Sequence, residues 1–259
     1  MNDWLLVYNG YRPQEEGRRE ALCTLGNGYF ATRGAAPDCA ADDLHYPGTY
    51  LAGGYNRLTT EMAGRDIENE DLVNLPNWLP LTFRIDDGAW FRLDAVEILS
   101  YRQALDLQRG VLHREVRFRD QQGRVTGWQE RRVVSMANPH LAGLTVALSA
   151  ENWLGHLTVR SALDGGVTND GVPRYRELAS QHLDTLDVAQ PEAETIFLHS
   201  RTSQSLLHVA EAARTRCYRD GQAVDVERRV DIRADRIAQD LSCQIREAET
   251  MTVEKLVAF

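Results

Sequence analysis

The second half of the chain repeats a pattern that leaves little choice of fold: short runs of alternating apolar and polar side chains, separated by glycine, aspartate and asparagine turns. Alternation with period two sends successive side chains to opposite faces, so each run reads as a half-buried strand. In "LTFRI", Leu81, Phe83 and Ile85 share one face, and Asp87-Gly88 predicts a positive-φ turn into "AWFRL" as a hairpin. "VLHREVRFRD" and "GRVTGWQERRVVSM" flank "DQQG" in the same way, and Asp220-Gly221 marks another tight turn. Further strands are expected in "LTVALSA", "HLTVRSALDG", "TIFLHSRT", "SLLHVAEAART", "VERRVDIRAD" and "MTVEKLVAF". Helical spacing is confined to residues 14–22, because "GG", "DG" and "NDG" interrupt most other windows. About a dozen strands and few helices predict a mainly β chain folded as a large antiparallel β-sandwich.

Residues before Leu81 read differently. Glycines and prolines crowd into "LGNGYFATRGAAPD", "YPGTYLAGGYNRL" and "VNLPNWLP", which predict long, shaped loops on a rigid sandwich. Residues 164–182, "DGGVTNDGVPRYRELASQH", form a second such insertion. Loops of this length in a compact domain bind something, cover a sheet edge or pack against another domain. At 259 residues the chain fits one large domain, which buries about 70–75% of its unfolded surface and needs no disulfide staples. Cys23, Cys39, Cys217 and Cys243 are scattered without metal spacing, so ordinary thiols in a reducing compartment are expected, with no zinc site.

A net charge of -9 and a pI near 5.3 argue against a nucleic-acid partner, whose phosphates call for a clustered basic face. The arginines instead alternate with acids, as in "LHREVRFRD", a pattern that predicts solvated strand faces. "MNDWLLVYNG" lacks a signal-peptide pattern and "LAGLTVALSA" is too short to cross a bilayer, which predicts a cytoplasmic protein without a membrane partner. "GNGYFA" formally fits the dinucleotide pattern GxGxxG/A, but "TRGAAPD" after it cannot open a long helix, so a turn is the better reading. P-loop, HExxH, GxSxG and EF-hand patterns are missing from the sequence.

The stretch "ENEDLVNLPNWLPLTFRI" concentrates polar groups around one tryptophan. Glu68, Glu70 and Asp71 have the chemistry of a glycosidase acid pair, although that mechanism depends on a spatial separation which sequence does not fix. Trp78 could offer an apolar plane to a pyranose while Asn74 and Asn77 meet its hydroxyls. The alternative places Trp78 in the core and uses the asparagines to satisfy loop backbone.

Five collinear blocks, "EALCTLGNGYFATRG" (20–34), "YPGTYLAGGYNRL" (46–58), "NEDLVNLPNWLPLTFRI" (69–85), "LDLQRGVLHREVRFRD" (105–120) and "SALDGGVTNDGVPRYRELASQHL" (161–183), resemble the N-terminal domain of glycoside hydrolase family 65. That family includes maltose, trehalose, kojibiose and nigerose phosphorylases and acid trehalases. The resemblance implies a super-β-sandwich of the galactose mutarotase-like type over residues 1–259. It implies a helical linker and an (α/α)6 barrel beyond it, the barrel carrying the general acid.

On this reading the chain by itself holds no catalytic residue, and its principal partner is the barrel. The parent would cleave an α-glucosyl disaccharide with inorganic phosphate as co-substrate and no metal or organic cofactor. Asn74, Asn77 and Trp78 are then expected at the lip of the substrate pocket. Arg174 and Arg176 are expected at a domain or subunit interface, and a homodimer is implied. Two other functions fit the same residues. A self-contained carbohydrate-binding module would need an exposed aromatic platform. An aldose mutarotase would need a histidine facing a carboxylate, and His113, His156, His199 and His208 fall in strand-like segments.

Overall fold

The alternating runs fold as strands, nineteen strands in all being found among the described residues, which in this computed structural model are 4–169 and 177–259. In chain order, β1 (Leu5–Asn9) leads into the helix α1 (Pro13–Leu22), followed by the short strands β2 (Leu25–Gly26), β3 (Phe30–Thr32) and β4 (Thr49–Leu51). Next come β5 (Tyr55–Met62), β6 (Arg65–Leu72) and β7 (Leu81–Ile85). A meander follows, of β8 (Glu97–Asp106), β9 (Val111–Arg119), β10 (Val125–Val134) and β11 (Leu141–Ala150). The rest comprises β12 (Gly155–Asp164), β13 (Leu183–Glu192), β14 (Thr195–Thr202), β15 (His208–Arg219), β16 (Gln222–Val224), β17 (Glu227–Ile232), β18 (Arg236–Ile245) and β19 (Thr250–Ala258).

Two sheets carry the architecture. A ten-stranded sheet runs β1-β8-β9-β10-β11-β19-β15-β14-β13, with β16 also paired to β15. A four-stranded sheet runs β17-β18-β12-β7, and every pairing in both is antiparallel. The last strand, β19, lies in the middle of the large sheet between β11 and β15. Alternation explains the layering: Leu144, Val146 and Leu148 of β11 and Met251, Val253 and Val257 of β19 are buried in one core cluster with Leu81, Phe83, Leu157, Val159 and Leu241 of the small sheet. Phe83, Phe91, Phe118 and Trp128 form its aromatic knot, Phe83 stacking on Phe91 at 4.9 Å. Burying each such side chain contributes about 1.5–3 kcal/mol relative to exposure.

The turn chemistry holds at Asp220-Gly221, whose φ values of 51° and 76° suit the tight β15–β16 hairpin. It fails after β7. The positive φ falls on Asp86, and "AWFRL" forms no strand; Phe91 donates one backbone hydrogen bond to Phe83 and the chain enters a 3-10 turn at Leu93–Ala95. Likewise residues 55–58 and 69–72, expected within loops, are the two ends of the β5–β6 hairpin, a two-stranded sheet of its own. "GNGYFA" is the turn between β2 and β3, as its sequence context required.

The solvated-face reading of the alternating charges needs a correction. Glu115, Arg117 and Arg119 do face solvent, but Arg114 shares the buried phase with Leu112, Val116 and Phe118. Glu130 and Arg132 sit in phase with buried Trp128 and Val134 in the same way. Lys255 is buried between Val253 and Val257 and donates to the carbonyls of Pro80 and Ala162, at 3.1 and 2.7 Å, which ties the two sheets together. The carboxyl of buried Glu211 acts on it electrostatically, and neither Glu211 oxygen has a hydrogen-bond partner among the described residues. Burial holds the Glu211 carboxyl well above its ordinary range and pushes Lys255 down to about 7.

Candidate functional site

The glycine-rich loops predicted to be functional converge on the buried face of α1. This helix begins with Pro13 at its first turn and carries Glu15 and Glu16 at its positive end. It buries Glu16, Arg19 and Glu20 instead of an apolar stripe. Arg19 donates to Glu15 at 2.8 Å, to Glu16 at 3.3 Å and to the Gly10 carbonyl at 2.9 Å. Glu20 accepts from the Tyr46 amide at 2.9 Å, meets His45 Nδ1 at 2.9 Å and lies 3.6 Å from Arg33. That hydrogen bond raises the His45 pKa against the opposing effect of burial.

Beneath these loops lies an arginine–glutamate–arginine triad. Glu130 takes Arg114 at 2.5 Å and Arg132 at 2.6 Å, all three side chains being 2% exposed or less. Other guanidinium donors reach main chain, Arg114 to Gly34, and Arg132 to Arg33 and Ala35, at 2.7–3.1 Å, while the Nε of each arginine is buried without a hydrogen-bond partner among the described residues. Burial opposes the charge on both arginines. At Arg114 the combined pull of Glu130, Tyr101 and Glu16 outweighs it; at Arg132 Glu130 does not, because that guanidinium also feels Arg114. Gly34 completes the lock, because a β-carbon there would stand 2.6 Å from that of Cys23. Ion pairs and fixed carbonyls thus hold residues 33–35 against the large sheet.

A cleft of about 370 Å³ opens beside this network, lined by Tyr11, Asp38, Cys39, His45, Arg92 and Asp94 among others. Burial raises the pKa of Asp38 and of Cys39. The oxygens of Glu20 and Glu130 are occupied by the partners named above. Among the described residues no group of three His, Cys, Asp or Glu side chains is placed to hold a metal ion.

The residues singled out from sequence are placed as follows. Glu68 and Glu70 pair with Arg57 at 3.3 and 2.6 Å, and Asp71 lies 3.4 Å from His182. The acids of the stretch are therefore partnered side chains of the β5–β6 hairpin. Asn74 is buried and serves main chain, accepting from the Thr49 amide at 3.0 Å and donating to Thr168 at 3.2 Å. Asn77 is 8% exposed, exchanges backbone hydrogen bonds with Asp164 and accepts from the Leu79 amide. Trp78 has no exposed surface. In this conformation it presents no plane to a sugar, and the three residues are arranged as the packing alternative describes. Arg174 and Arg176 lie outside the described residues.

Of the four strand histidines, His199 and His208 bond to each other at 2.9 Å, and burial together with Arg131 lowers the pKa of His113. No bond from the His156 ring to a carboxylate is found among the described residues. Reading for position types missed Arg114, Glu130, Arg132, Glu211 and Lys255; the available signal was a charge standing in the apolar phase of its own strand.

Together these features define a large antiparallel sandwich domain whose loops are locked by buried ions. The chain belongs to glycosyl hydrolase family 65: residues 6–259 match the model of the family's N-terminal domain. It is 49% identical over 256 residues to an uncharacterized glycosyl hydrolase of Mycobacterium tuberculosis, 99% of this chain and 19% of that protein. It is 30% identical to the kojibiose phosphorylase of Caldanaerobacter subterraneus subsp. tengcongensis over 83% of this chain and 26% of that protein. The trehalose 6-phosphate phosphorylase of Lactococcus lactis is also 30% identical, over 80% of this chain and 26% of that protein. A solved structure, "Putative kojibiose phosphorylase from human microbiome", shares the fold with a TM-score of 0.83 at 17% identity, covering 98% of this chain and 32% of that one. The chain thus spans a third or less of the length of these proteins.

Proposed function

We propose that these 259 residues are the supporting N-terminal domain of an inverting disaccharide phosphorylase or glycosidase that acts on α-glucosyl disaccharides. The observation that carries this reading is the match over nearly the whole chain to one domain of relatives that are several times longer, two of them named phosphorylases. The buried carboxylates of Glu20 and Glu130 support it, because their partners are arginines, His45 and a loop amide rather than open space. In the parent, phosphate would attack the anomeric carbon from the face opposite the leaving oxygen while a general acid protonates that oxygen. We assign the acid to an (α/α)6 barrel that is this domain's principal partner, with inorganic phosphate as co-substrate and no organic cofactor. The locked loops at residues 26–54 and 73–80 would then form a rigid surface for the barrel, with Asn74 and Asn77 acting through the backbone they hold. Four free cysteines agree with a reducing compartment, and pairing of two sandwiches into a homodimer belongs to the same proposal.

The test is an assay of the purified chain with maltose, trehalose or kojibiose and phosphate. The expected result is no glucose 1-phosphate from a sample whose circular dichroism shows folded β-structure. Turnover by these residues alone overturns the reading. Sedimentation of the same sample examines the homodimer.

A further inference from the structure

Where β7 ends and the β9–β10 turn begins, a second cavity of about 160 Å³ opens over the aromatic knot. That volume is close to a cavity that holds one six-membered ring. Phe83, Phe91 and Phe118 line it, with Trp90 half-exposed beside them. Its polar lining is divided between spent and unspent groups. Arg124 is neutralised by Asp120 at 2.6 Å and Asp86 at 3.3 Å, and Arg92 by Asp94 at 2.6 Å. Arg84 is different: among the described residues it has no carboxylate partner and no hydrogen bond, and its guanidinium rests on the Trp90 ring at 5.0 Å. Arg160 touches the same ring at 4.2 Å but is held in two-point contact by Asp240. Gln121 and Gln122 are exposed at the rim, and their side-chain amides bond to nothing among the described residues.

These unspent groups specify a ligand. An indole beside phenyl rings accepts the C–H face of a saturated ring, two free amides suit neighbouring hydroxyls, and an unneutralised guanidinium calls for an anion. We propose that this cavity binds a hydroxylated six-membered ring carrying one negatively charged group, a hexose monophosphate, with the ring on Trp90 and Phe91 and the phosphate on Arg84. The site uses no residue of the locked loops and stands independently of where catalysis occurs.

Isothermal titration of the chain with glucose 6-phosphate, glucose 1-phosphate, glucose and inorganic phosphate tests the assignment. Saturable low-millimolar binding of an ester is expected, with glucose and phosphate each weaker. Arg84→Gln should weaken ester binding about tenfold and bring it to the level of glucose, as expected for loss of a charged hydrogen bond. Arg84→Lys should retain part of the preference, and Gln121→Ala with Gln122→Ala, both exposed and safe for folding, should weaken ester and glucose alike. Silence from both esters overturns the proposal, as does unchanged ester binding in Arg84→Gln. Equal binding of glucose and ester removes the anion assignment, and equal binding of phosphate and ester removes the ring. A negative titration leaves the supporting-domain reading untouched, since that reading is judged by turnover.

Discussion

Glu130→Gln isolates what the buried triad contributes. The substitution keeps size and shape but removes the carboxylate that bonds both Arg114 and Arg132, at 2.5 and 2.6 Å. A neutral amide can accept from one guanidinium only; its NH2 end then faces the donors of the other. Two guanidiniums with at most 2% exposure lose their hydrogen-bonded anion, and removing one partner of such a buried arrangement costs about 3–5 kcal/mol. At about 2.1 cal/mol/K per residue the unfolding entropy of this chain is about 0.5 kcal/mol/K, so Tm should fall by about 6–10 °C. Scanning calorimetry measures it directly. Glu115→Gln is the control: its contact with Arg102 is exposed and 3.9 Å long, worth less than about 1 kcal/mol, so Tm should move by less than about 2 °C. Replacing all three triad residues with methionine should not restore stability fully, because the carbonyls of Arg33, Gly34 and Ala35 would lose their donors. A Glu130→Gln melt within about 2 °C of the unsubstituted chain would refute the reasoning and reduce the triad to ordinary polar packing.

Trp78→Ala should destabilise the fold by about 3–5 kcal/mol in urea melts, the cost of a large core cavity, whereas unchanged stability would contradict its burial. His45 should titrate above the usual histidine range by NMR and return toward it in Glu20→Gln. Its contribution to stability is full below the unfolded value near 6.5 and is lost as pH rises through the folded value. With Glu211→Gln as background, Lys255 should make stability rise between pH 7 and 10. The folded lysine, depressed to about 7, has then released a proton that the unfolded one, near 10.5, still holds. Adding Lys255→Met should flatten that rise; parallel profiles for the two chains would contradict it.

The strands were legible because burial on one face writes itself as period two, and "LTFRI" or "MTVEKLVAF" could hardly fold otherwise. The Asp87-Gly88 turn misled because turn residues state where a chain can reverse, while the pairing of β7 with β12 decides whether the next segment finds a partner. The β5–β6 hairpin was hidden by its composition: both faces are largely solvated, so its strands lack the apolar alternation that marks the others. The charged core was partly legible. Arg114, Glu130, Arg132 and Lys255 occupy inward phases, but which acid meets which arginine depends on cross-strand register, as between Arg114 and Glu130 on β9 and β10. Trp78 and its asparagines had two readings of equal chemical sense, and only the packing of the loops over them separates those readings.

The central position of β19 dictates when the domain can come into being on the ribosome. β11 is complete at Ala150, yet the strand that covers its open edge starts at Thr250, about a hundred residues and 5–20 s of synthesis later. Until then the β8–β11 meander and, once β15 ends at Arg219, the β13–β15 hairpins are two half-sheets, each exposing an unpaired edge of the kind that recruits foreign strands. The nine residues of β19 then close both edges at once, joining Leu141 to Ala258 on one side and Ala212 to Ala258 on the other. The large sheet is therefore completed late, when β19 joins its two halves.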